Sequence, residues 1–137
     1  MKGMQKIKRG RSFMKLKSYC VSHDNGHRIG GNATIREMIA AANQRKDIQK
    51  PVWHSSLRLP EGETISDEKW NLIATEYLHE LGFSESHPFE IIKHESKEGE
   101  HVHIIASRVG MDGKIYLGQN ENLRSTKIVA ALEKKTG

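Results

Sequence analysis

The chain has 137 residues and a mass of 15.6 kDa, with 22 Lys and Arg against 17 Asp and Glu, a formal charge of +5. That length suits one domain, and a mean hydropathy of -0.66 with 36% apolar residues leaves no run near the roughly 20 apolar residues of a membrane span. The opening MKGMQKIKRGRSF is basic but lacks the apolar stretch of a secretory signal, so the expected compartment is the cytoplasm. One cysteine, Cys20, excludes an internal disulfide and a Cys-x-x-Cys metal site, which turns attention to the eight histidines.

The elements follow in chain order. Residues 1–19 hold Lys2, Lys6, Lys8, Arg9, Arg11, Lys15 and Lys17 and no acid, leaving 15 basic and 17 acidic residues in the other 118 positions. A basic arm on a neutral body suits a polyanion such as nucleic acid, because neutralised phosphates release counterions. A solvated basic terminus is the competing reading. Phe13, Leu16 and Cys20 recur at i, i+3 and i+7, which predicts a short helix over 11–22, and the Asn-Gly and Gly-Gly pairs of SHDNGHRIGGN predict a loop after it. Thr34 with Glu37 forms a capping-box signature for a helix running to about residue 45 with Ile35, Met38, Ile39 and Ala42 on one face.

Residues 51–59 alternate as a half-buried strand, with Trp53, Leu57 and Leu59 on one side and His54, Ser56 and Arg58 on the other. Ser66 caps a helix whose Trp70, Ile73, Ala74, Tyr77, Leu78 and Leu81 form one stripe, ended by Gly82. Residues 89–95 and 101–109 read as an antiparallel hairpin, 114–117 as a further short strand, and 123–135 as a closing helix. The sum is an α/β (α+β) sandwich with a mostly antiparallel sheet flanked by helices.

The segment from His94 to His103 carries the chemistry. Alternate strand residues share a face, so His101 and His103 project together, and the hairpin returns His94 beside them. Three neutral imidazoles there can hold one divalent ion with positions left for a phosphate oxygen. A solvated strand face is the competing reading for an H-x-H pair. His79 and His87 read as surface residues, and the role of His54 stays open. Among the tyrosines, Tyr77 belongs to the apolar stripe, while Tyr19, between the basic arm and a loop, and Tyr116, on a short strand, both remain available for chemistry.

His-hydrophobe-His on one strand with a His on its neighbour resembles the metal motif of the HUH endonucleases. LRLPEGETISDEKW, EYLHELGF, HPFEIIKH, EHVHIIASRV, DGKIY and the closing LEKKTG resemble, in order and spacing, the relaxase/mobilisation nuclease family of plasmids and integrative elements. KGMQKIKRGRSFMKLKSYCVSHD resembles that family's first motif, in which a tyrosine follows a basic, Phe-containing segment.

The resemblance implies a single HUH-type domain over residues 1–137, in a truncated or minimal form. It implies a relaxase that nicks one DNA strand at a transfer origin through tyrosine attack, giving a 5′-phosphotyrosyl enzyme and a free 3′-hydroxyl for conjugative mobilisation. The matching nucleophile is Tyr19. A phenol of pKa about 10 is a weak nucleophile at neutral pH, which calls for a base or a metal-polarised phosphate. His94, His101 and His103 would hold Mg²⁺ or Mn²⁺, although imidazole also suits Zn²⁺, Ni²⁺ and Cu²⁺. Asp24, Glu61, Glu63 and Glu95 are the candidate base or His-orienting acids, and Ser107 stands where the family often has Asn. Lys2, Lys6, Lys8, Arg9, Arg11, Lys15 and Lys17 would grip phosphates, with Arg58 and Arg108 on the sheet. Eight aromatic residues favour a backbone grip over a base-stacking platform. The implied partners are single-stranded DNA at a transfer origin, relaxosome accessory proteins and a type IV coupling protein. A catalytically silent DNA-binding accessory module and a phosphodiesterase that uses water are the alternatives.

Overall fold

The computed structural model describes residues 2–3, 7–22, 26–95 and 99–136, with side chains described from position 7 to 132. The elements are β1 (Lys2–Gly3), β2 (Lys8–Gly10), α1 (Phe13–Ser22), β3 (His27–Gly31), α2 (Ile35–Asn43), β4 (Val52–Arg58), α3 (Asp67–Leu81), β5 (Phe89–His94), β6 (His101–Ser107) and α4 (Glu121–Thr136). The sheet runs β1-β4-β6-β5-β3 with every pairing antiparallel, and β2 pairs with β4 beyond β1. This is the α+β architecture that the sequence pattern predicts.

Alternation along β4, β5 and β6 assigns their side chains to two faces. One face carries Trp53, Leu57, Ile91, Val102, Ile104 and Ala106, covered by the apolar stripe of α3 and by Val129 and Leu132 of α4. Ser66 and the left-handed Gly82 cap α3 as its sequence requires. Burying each large side chain of that stripe contributes roughly 1.5–3 kcal/mol. The opposite face is shared. At one end Val52, Ile92 and Ile105 pack under Phe13 and Cys20 of α1 and Ile35 and Met38 of α2. At the other end stand the histidines.

Three local expectations are revised. Lys8–Gly10 is not a loose arm but a strand in register with His54, Trp53 and Val52. The segment expected as a loop contains β3, an edge strand with an irregularity between Arg28 and Gly30. Its only large apolar residue is Ile29, too little for a strand pattern, and its backbone is held by Asn71 of α3, which accepts from the Gly31 N–H at 3.0 Å and donates to the Ile29 carbonyl at 3.1 Å. A side chain at Gly30 would displace the Asn71 amide that holds this strand. Residues 114–117 form no strand; one bridge joins Ile115 to Val109.

Candidate active site

The site grows from the register of three strands. His94 lies directly opposite His101, His103 opposite Ile92 on one side and Ser56 on the other, and Arg58 opposite His101. His94, His101, His103, His54 and Arg58 therefore share one face at one end of the sheet. The rings of His94, His101 and His103 are mutually edge-on, with centroids 4.7–5.4 Å apart. One ring nitrogen from each lies within 4.8 Å of those of the other two. His94 and His101 are buried and His103 half-buried, so the strand-face histidines are not a solvated row.

Hydrogen bonds fix which nitrogens face inward. His94 Nε2 donates to the backbone carbonyl of Cys20 at 2.6 Å, which leaves Nδ1 as the ring's lone pair. His103 Nδ1 lies 2.8 Å from His54 Nε2, the two rings being stacked with centroids 5.0 Å apart. With Nδ1 engaged there, Nε2 is the nitrogen that His103 offers to the trio. Burial and then the nearby Lys8 push the His54 imidazole down to about 4. Burial, followed by its three histidine neighbours, pushes His103 down to about 3. Both rings are neutral at pH 7, as metal ligands and their acceptors must be. Three converging ring nitrogens, two of them on rings oriented through the opposite nitrogen, fit a divalent cation.

His54, whose role the sequence left open, is thus the residue that orients His103. Its signal was the alternation of 51–59, which puts it opposite Trp53, but only the β4–β6 register brings it to His103. His94 is oriented by a carbonyl and His103 by an imidazole. Glu61, Glu63 and Glu95 are exposed, and Glu95 approaches Lys93 at 3.7 Å. Asp24 lies outside the described residues. Ser107 is buried and closes its own turn on Val109, at the far end of β6 from His101.

The tyrosines separate by burial. Tyr77 is fully buried, its hydroxyl 2.9 Å from Ser55 Oγ and 2.6 Å from Ser125 Oγ. Tyr116 is buried as well; its hydroxyl donates to Glu121 at 2.9 Å, and burial raises its pKa well above the phenol value. Tyr19 is 55% exposed, on the last turns of α1 and next to Cys20, whose carbonyl holds His94. Gly26 seals this junction, since a side chain there would strike both the Cys20 carbonyl and the His94 ring.

The basic residues divide by face and by prior commitment. Lys15 is exposed and one helical turn before Tyr19, and Lys8 is exposed opposite His54. Arg11 is exposed just before α1. Arg9, opposite Trp53, is on the other face and donates to Leu117 O at 2.9 Å and to Glu121 at 3.2 Å. Lys17 donates at 2.8 Å to Glu90, a fully buried carboxylate that Arg28 also approaches at 3.2 Å. Arg108 bonds the Lys50 and Tyr116 carbonyls. Lys6 and the side chain of Lys2 lie outside what is described. His79 is exposed as expected, but His87 is buried, its Nδ1 accepting from the N–H of Ser84 at 3.1 Å.

A family model described as "Relaxase: MobA/VirD2-like, nuclease domain" matches residues 14–137. No curated protein and no solved structure gives a significant match. Among the described residues, no helix is long and apolar enough to cross a membrane.

Proposed function

Because the chain belongs to the relaxase family of MobA/VirD2-like nuclease domains, whose activity is DNA nicking for mobilisation, we propose that it cuts one strand at a transfer origin with Tyr19 as the attacking group. The reading rests on one observation. Tyr19 is the exposed member of the three tyrosines and immediately precedes the residue whose carbonyl orients His94.

His94, His101 and His103 are the residues that would hold the divalent ion, Mg²⁺ or Mn²⁺. When bound, that ion supplies Lewis acidity toward a non-bridging phosphate oxygen. The chain's own groups do the rest. The Tyr19 phenolic oxygen forms the new bond to phosphorus, the bond from phosphorus to the 3′ oxygen breaks, and the phenolic proton is balanced by the one gained at the 3′-hydroxyl. Lys8, Arg11, Lys15 and Arg58 flank this face and bring cationic charge to the backbone of an extended strand. We read residues 1–137 as one domain acting in the cytoplasm, in company with relaxosome accessory proteins and a coupling protein.

The test is a denaturing gel of protein incubated with a labelled, origin-bearing single-stranded oligonucleotide and Mn²⁺. A covalent adduct that Tyr19→Phe abolishes is the expected result. Cut DNA without attached protein would transfer the chemistry to water, and salt-sensitive binding without cutting would leave a DNA-binding module.

A further inference from the structure

His103 belongs to two ligand groups. Besides the His94 and His101 set, it forms a second cluster with His54 and Cys20, again with one ligand atom from each residue within 4.8 Å of the others. We propose that Cys20, His54 and His103 form a separate site for a thiophilic metal ion such as Zn²⁺, Cd²⁺ or Cu⁺, and that filling it disables the three-histidine set. The inference about the site stands on these side chains alone; the inhibition adds the functional reading given above.

The donor set suits soft ions. A thiolate and two imidazoles favour them over Mg²⁺ or Mn²⁺, whose preference is for oxygen. His54 Nε2 and His103 Nδ1 are 2.8 Å apart, whereas two imidazole nitrogens on a tetrahedral zinc stand about 3.4 Å apart, so a slight parting of the stacked rings admits the ion in place of the hydrogen bond. Cys20 is fully buried, out of reach of bulky thiol reagents but adjacent to both rings. Binding takes the Cys20 thiol to a thiolate, with one proton released for each ion bound.

Exclusion between the two sites follows from the imidazole itself. A neutral ring has one lone pair for a metal. With its proton on Nδ1, His103 offers Nε2 to His94 and His101. With its proton on Nε2, it offers Nδ1 to Cys20 and His54. Moving one proton across the His103 ring switches it between the sites, so an ion at the thiolate site removes a ligand from the other.

Cadmium is the probe, read by its thiolate-to-metal ultraviolet absorption in DNA-free buffer with a phosphine reductant. Because Cys20 is the single cysteine, any such band reports this site. The band is expected at one equivalent in His101→Ala, which removes the competing set, and at least tenfold more Cd²⁺ should be needed to produce it in His54→Ala. A band in His101→Ala that is weaker in wild type supports both the site and the competition. No band in His101→Ala, or unchanged affinity in His54→Ala, overturns the proposal; should His101→Ala fail to fold by circular dichroism, presence or absence of the band in wild type decides. None of these results depends on whether the chain cuts DNA.

Discussion

His94 Nε2 donates to the carbonyl oxygen of Cys20 at 2.6 Å, although the two residues are 74 positions apart in the chain. This contact joins a metal-ligand candidate on β5 to the helix that presents Tyr19. It fixes the imidazole's tautomer and ties the end of α1 to the sheet, so in the proposed reaction metal affinity and the position of Tyr19 depend on the same few atoms.

Gly26 tests that junction without altering a ligand. Gly26→Ala places a methyl group against the Cys20 carbonyl and the His94 ring, both held by backbone and sheet. Mn²⁺ affinity by calorimetry should fall at least tenfold while the circular dichroism spectrum stays native. Unchanged affinity would mean that the ring is not held from this side.

His54→Ala removes the acceptor for the His103 Nδ1–H. Loss of a group that orients a metal-bound histidine typically costs 10- to 100-fold in affinity or activity. His54→Gln, whose amide oxygen can accept the same proton, should recover part of that loss. Equal losses in the two variants would argue against orientation by hydrogen bonding.

Lys15 and Arg9 should behave oppositely although both are basic and near the N-terminus. Lys15→Ala should weaken single-stranded DNA binding and reduce the slope of log affinity against log salt by about 0.7, the value for one lost phosphate contact. Arg9→Ala should leave the slope unchanged, because its guanidinium is engaged by Leu117 and Glu121 on the other face, and should instead lower stability by about 1 kcal/mol. Filter binding across a salt series and thermal melts separate the two; equal slope changes would place DNA on the wrong face.

Metal-free protein should be acid-labile. His54 and His103 are held down to about 4 and about 3, against about 6.5 in an unfolded chain, and burial also lowers His87. The unfolded chain therefore takes up protons that the native one refuses. Stability is full above pH 6.5 and is lost as pH falls toward 3, by up to about 1.4 kcal/mol per pH unit for each fully responding ring. Melting temperatures measured in chelator between pH 7.5 and 4 should fall steadily, and less steeply in His54→Gln. A flat profile would show that these rings are protonated in the native protein.

The sequence made α2 and α3 legible because each turns one apolar stripe to the core at a period of 3.6, and β4 and the β5–β6 hairpin because their runs of buried residues are bounded by turn residues. It also brought His94, His101 and His103 together, since a hairpin is a local object. What it could not display were relations set by distant register. The pairing of Lys8 with His54 reveals β2, Asn71 supports β3, and β4 beside β6 places His54 on His103. His87, beside Pro88 in a polar stretch, read as exposed because part of its surroundings, Arg108, Asp112 and Lys114, comes from a distant segment. The contacts of His94 and His103 were illegible for a related reason: a backbone carbonyl and another imidazole leave no compositional signature.

The proposed ligand trio falls within one continuous stretch from position 94 to 103, whereas the proposed nucleophile Tyr19 arrives from the far end of the chain on a helix moored by an apolar face, the Lys17–Glu90 pair and one carbonyl. The two halves of the chemistry therefore differ in how non-local they are. Damage confined to the apolar face of α1 or to the Lys17–Glu90 pair should yield a protein that still captures ions yet no longer presents Tyr19, while damage to the hairpin should eliminate both. Ion capture alone is then no certificate of an intact catalyst.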